Sequence, residues 1–149
     1  MIQRLILQYL TEAINALQDP LLPRVKTIVY PNEYVPIEIS EQDLFFEVFC
    51  GGIAPQYETE KSILTSVIGT IVINGKTNTG SSFLEAISEA LIYNFLPTNP
   101  LKKHGFRIRD SCNKCITDVY ISAVERSETG IDEGRCKVSI FITFDIHEG

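Results

Sequence analysis

The sequence predicts an α+β fold, an α/β sandwich in which an N-terminal helix and a middle helix cover one mixed, mostly antiparallel sheet ending in a C-terminal β-hairpin. Three observations predict it. The first seventeen residues carry apolar side chains at helical spacing, residues 82–96 repeat that pattern, and the last fourteen alternate with the period of a strand. A length of 149 residues fits one domain with one core, so residues 1–149 are read as a single unit.

In the first helix Ile2, Leu5, Ile6, Tyr9, Leu10, Ala13, Ile14 and Leu17 fall on one face, while Gln3, Gln8, Glu12 and Asn15 lie mostly off it. Asp19-Pro20 is expected to close it, because the residue before proline is pushed out of the α region. Such a stripe serves either a partner or the protein's own sheet, and packing on its own sheet is the expectation. Between Val25 and Cys50 the texture is β-like. Val35, Ile37 and Ile39 alternate with Pro36, Glu38 and Ser40, and Leu44–Cys50 forms an apolar run with three phenylalanines. Gly51-Gly52 and Pro55 suggest a loop over residues 51–64. Val67–Ile73 is apolar at nearly every position, as a strand covered on both faces would be, and Asn74–Gly80 reads as a polar loop. The second helix is expected from about Ser82 to Leu96, with Ser82 and Glu85 at capping-box spacing, Leu84, Ile87, Leu91 and Phe95 inward, and Pro97 as the stop.

The remainder is β. Phe106 and Ile108 alternate with Arg107 and Arg109, and Val119, Ile121 and Ala123 share one side of a further strand. In the last strand Cys136, Val138, Ile140, Ile142, Phe144 and Ile146 alternate with Lys137, Ser139, Phe141, Thr143, Asp145 and His147. Ser127–Gly134 is expected to be a long hairpin tip.

The net charge of −6 argues against a grip on nucleic acid, which needs a basic surface. Lys102-Lys103-His104 and Arg107-Ile108-Arg109 are read as solvated charge rather than a phosphate grip. No apolar stretch reaches the roughly 18–20 residues of a membrane span, and no signal peptide is read at the N-terminus, so a cytoplasmic location is expected. Cys50, Cys112, Cys115 and Cys136 are then reduced thiols. Cys112-Asn113-Lys114-Cys115 has the spacing of half a zinc site, without a second such pair. Gly75-Lys76-Thr77 looks like the end of a phosphate loop, yet the position of the loop's first glycine holds Thr70. His104 and His147 are isolated, and carboxylate pairs such as Asp132-Glu133 fall at an expected hairpin tip. No catalytic, cofactor-binding or metal-ligating residue is therefore assigned, and the protein is read as not an enzyme.

Several stretches carry a likeness. Pro31-Asn32-Glu33-Tyr34-Val35-Pro36 follows the N-terminal helix, Gly69-Thr70-Ile71-Val72-Ile73 leads into a glycine-bearing loop, Ala86-Ile87 and Phe95 lie in the middle helix, and a long alternating strand ends the chain. In these features and in element order, over most of residues 1–147, the chain resembles the phage tail terminator family, including minor tail protein U-like and prophage proteins. The resemblance implies a structural protein that assembles with itself into a ring, typically a hexamer. Such a ring caps the tail tube protein, ends tube polymerisation and offers a surface to the head–tail connector protein. It also implies assembly in the bacterial host cytoplasm, a final place at the tail–head interface of the virion, and a lumen through which DNA passes without specific binding. Candidate assembly residues are drawn from the three expected loops: Tyr57 and Glu58, Lys76 and Asn78, and Glu128, Asp132 and Glu133. Two alternatives stay open: another head–tail connector or tail completion protein, and a small ligand-binding domain or enzyme using the 74–80 loop.

Overall fold

The helical stripe of the N-terminus meets the protein's own sheet. The computed structural model describes residues 2–17, 27–30, 44–57, 63–76, 81–95, 105–109, 115–127, 130–132 and 135–148. Along the chain these form α1 (Ile2–Asn15), β1 (Ile28–Val29), β2 (Leu44–Tyr57), β3 (Ile63–Lys76), α2 (Ser81–Phe95), β4 (Gly105–Arg109), β5 (Cys115–Arg126), β6 (Gly130–Asp132) and β7 (Arg135–Glu148). The strands make one sheet in the order β1-β2-β3-β7-β5-β4, with β6 paired to β7 beside the end of β5. All pairings are antiparallel except β1 with β2. This is the α+β fold that the sequence predicts.

Both helices lie on the same face of the sheet. In α1, Ile6, Leu10 and Ile14 are buried, as is Leu17 just beyond it, and Leu5, Tyr9 and Ala13 pack at the margin of the core. In α2, Leu84, Ile87, Leu91 and Phe95 are buried. Below them the register aligns Phe46 with Ile73 and Val138, and Val48 with Ile71 and Ile140. Every inward residue expected in β7, from Cys136 to Ile146, is buried. Tyr9 joins the layers, its ring 6.1 Å from that of Phe95 and 6.0 Å, edge-on, from that of Phe144.

Several expectations change. α1 ends at Asn15 rather than at Asp19-Pro20; Leu17 N donates to Ile14 O, the tight i−3 turn with which helices close. α2 starts at Ser81, so Ser82 stands inside the first turn rather than at the cap. Residues 51–57 and 63–64 are not a loop: β2 and β3 continue as a ladder out to Tyr57 opposite Ile63, with a bulge between Gly51 and Ala54. Asn74–Lys76 likewise belongs to β3, and Gly130–Asp132 to β6, which shortens the 127–134 tip. β3 is covered on both faces only in part: on the outer face Thr70 and, beyond it, Asn74 are buried, but Ile68 is 40% exposed. In β5 the register shifts between Ile121 and Ala123, so Ala123 pairs with outward Thr143 while Val124 pairs with inward Ile142. The shared side expected for Val119, Ile121 and Ala123 ends at that bulge. The Val35–Ile39 alternation, Lys102–His104 and Cys112 lie outside the described residues.

Candidate assembly surface

The described residues of the three segments nominated from the sequence fall at two opposite ends of the sheet. Tyr57 is the last residue of β2, opposite Ile63, which in turn faces Glu148 of β7. Lys76 ends β3 opposite Arg135, and Asp132 ends β6 opposite the same Arg135. The ladder therefore brings Lys76 and Asp132 to either side of Arg135 and leaves Tyr57 far away. Ile63 to Lys76 is thirteen steps along β3, roughly 43 Å at strand rise. Glu58, Asn78, Glu128 and Glu133 lie outside the described residues; Glu58, Asn78 and Glu133 are within two residues in sequence of these strand ends, and Glu128 falls between the end of β5 at Arg126 and the start of β6 at Gly130.

The Lys76 end has a polar cluster on the face away from the helices. Asn74 is fully buried there; its Nδ2 donates to Glu47 Oε1 at 2.8 Å and more weakly to Val72 O at 3.4 Å. Its Oδ1 has no hydrogen-bond donor among the described residues. The Arg135 guanidinium carbon stands 4.8 Å from the centroid of the buried Phe45 ring, a cation–π distance. Sequence reasoning did not find this cluster, because Phe45, Asn74 and Arg135 meet only once the order β2-β3-β7 is known.

The same face has a second feature. Phe49, Ile68 and Phe141 are 36%, 40% and 39% exposed. Phe49 and Phe141 flank Thr70 in one cross-strand row, and Ile68 lies in the next outward row. The signal in the sequence was Phe141, a phenylalanine in the otherwise polar half of the β7 alternation.

Other chemistry suggested by the sequence meets geometric limits. Thr70 to Lys76 is continuous ladder, so Gly75-Lys76 has no loop of convergent N–H groups for a phosphate. Cys50 shares a row with Gly69, and Cys136 shares one with Gly75. Six residues of strand, about 20 Å, separate them, so they cannot ligate one ion. Cys115 opens β5 opposite Arg109. Among the described residues no group of three or more His, Cys, Asp or Glu is placed to hold a metal. Burial raises the Cys50 thiol above its ordinary pKa, which lowers its thiolate fraction. Among the described residues no helix is long and apolar enough to cross a membrane. Compared with protein-family models and with curated proteins, the chain matches none of them.

Proposed function

We propose that this chain is a structural, non-enzymatic subunit that closes into a ring of six and caps a phage or prophage tail tube. The ring ends tube polymerisation and presents its other side to the head–tail connector protein. In this reading the subunit assembles in the host cytoplasm, remains at the tail–head interface of the virion, and lets DNA pass through its lumen without binding it specifically.

One observation carries the reading beyond the resemblance. The described nominated residues divide between two ends of a sheet roughly 43 Å apart, Tyr57 at one and Lys76 and Asp132 at the other. A terminator must meet two different partners on two sides, and a rigid sheet with separate ends holds two such surfaces at fixed distance. The acidic net charge accords with a lumen that does not retain DNA.

The test is a phage or prophage from which this gene is deleted. The expected result is overlong tail tubes that do not join heads, restored by the gene supplied in trans. Tails of normal length that fail to join heads would instead assign the chain to the connector or tail completion proteins. Normal tails joined to heads would remove the assignment.

A further inference from the structure

We infer that Asn74 is a latent modification site, kept intact by the fold, whose conversion to aspartate or isoaspartate in an opened chain stops that chain from refolding. The inference goes beyond the tail terminator reading and stands without it.

Asn74-Gly75 is the one Asn-Gly step in the sequence. Asparagine is among the thermally labile residues of proteins, and a following glycine leaves the next backbone nitrogen unshielded, because it has no Cβ. In an open chain the Gly75 nitrogen attacks Asn74 Cγ, and the new C–N bond closes a five-membered imide. The Cγ–Nδ2 bond breaks, and Nδ2 leaves as ammonia with the proton that Gly75 gives up. One water then opens the imide at either carbonyl, which yields aspartate or isoaspartate. The sequence of steps needs no metal, oxidant or reductant.

The fold opposes ring closure in three ways. Gly75 is paired on both sides, with Leu44 and with Cys136, so its nitrogen lies in the plane of the sheet. The Asn74 side chain stands roughly perpendicular to that plane, and extended backbone keeps Cγ away from the nitrogen. Nδ2 is anchored as well, donating to Glu47 Oε1 at 2.8 Å. Asn74 is also fully buried, which keeps out the water that completes the reaction.

The products do not fit the site that protects the reactant. Aspartate places an acceptor oxygen where Nδ2 donated, so two carboxyl groups meet at hydrogen-bond distance in a buried position. Isoaspartate routes the main chain through Cβ and Cγ. The added carbon takes Gly75 and Lys76 out of register with Cys136 and Arg135. Either change falls on β3, which has β2 on one side and β7 on the other. Modification therefore follows opening: its rate is that of the unfolded chain multiplied by the fraction of chains open at this point of β3.

Peptide mass spectrometry of the purified full chain tests this. Native protein and protein unfolded in guanidinium chloride are incubated with reductant in the same mildly alkaline buffer and sampled over time. In the unfolded chain Asn74 is expected to be the first asparagine to exchange NH2 for OH. Gly75→Ala, which shields the nitrogen, should slow that exchange by about tenfold or more. In native protein the exchange should be slower than in the unfolded chain by about a hundredfold or more. After partial modification, removal of the denaturant should give a native fraction enriched in intact Asn74 and leave the modified chains unfolded. Asn74→Asp should unfold at a lower denaturant concentration than wild type, or fail to fold. Equal rates in native and unfolded protein, or another asparagine reacting first, would overturn the proposal. So would an unchanged rate in Gly75→Ala, modified chains that refold as well as intact ones, or Asn74→Asp as stable as wild type.

Discussion

Gly69 of β3 lies directly beneath Leu10 of α1: a Cβ on the glycine would come within 2.9 Å of Leu10 Cδ1 and of Phe144 Cε2, and 3.4 Å from Ile6 Cγ2. The helix approaches the sheet this closely because that position has no side chain. Gly69→Ala should therefore destabilise the protein by about 1–3 kcal/mol despite the better strand propensity of alanine, and Gly69→Val by more. Urea unfolding followed by circular dichroism measures it. A neutral or stabilising Gly69→Ala would show that α1 is not seated this tightly on β3.

A second junction ties α2 to β5. Ser88 is fully buried; its Oγ donates to Glu85 O at 2.7 Å and accepts from Arg126 Nη1 at 3.2 Å. The same guanidinium lies 3.8 Å from Glu89, whose side chain is 74% exposed. Ser88→Ala should cost about 1 kcal/mol through the lost hydrogen bonds, whereas Glu89→Gln should change stability by less than about 0.5 kcal/mol, since exposed pairs are screened. Denaturant midpoints in the reverse order would make the ion pair the effective link.

These junctions also mark where the sequence was informative. The helices and β7 could be read because one face of each is buried against a single layer, which imposes a 3.6-residue or two-residue period. β5 escaped because a bulge beside Ser122 exchanges its faces partway along, so no single period describes it. Gly51, Gly52 and Pro55 read as turn residues, yet long pairing with β3 holds them in β2. Pro55 stands opposite Thr65 in that ladder, beyond the stretch where β1 pairs with β2, which is only Phe46 and Glu47. The candidate surface was half legible. Its segments carry polar and glycine signals, but the placing of Lys76 and Asp132 on either side of Arg135 depends on β3 and β6 both pairing with β7, which no local pattern encodes.

Alkaline pH should reveal the packing of Tyr9. Burial pushes its phenol above the ordinary value of 10.0, so the fold favours the protonated form. That contribution is complete below the unfolded pKa and is lost as pH rises from there through the raised folded value. Stability should fall above about pH 10, and Tyr9→Phe should fall less steeply over the same interval. Parallel curves for the two proteins would locate the titrating group elsewhere.

The last prediction concerns the two ends of the sheet and rests on the proposed capping function. Lys76 and Asp132 stand beside Arg135 at one end, and Tyr57 and Ile63 terminate the other. Both sets are terminal residues of their strands, where few ladder contacts remain to be lost. Lys76→Glu combined with Asp132→Lys, and separately Tyr57→Ala with Glu58→Lys, should each move the melting temperature by no more than a few degrees. In complementation the two should fail differently. Changes at the end that meets the tube should give overlong tails, because growth is no longer stopped. Changes at the end that meets the connector should give tails of normal length without heads. Electron microscopy of tail length and head attachment in both variants distinguishes the cases. Two variants with the same defect would show that both ends serve one partner, and two variants with neither defect would place the partner surfaces on the faces or edges of the sheet instead.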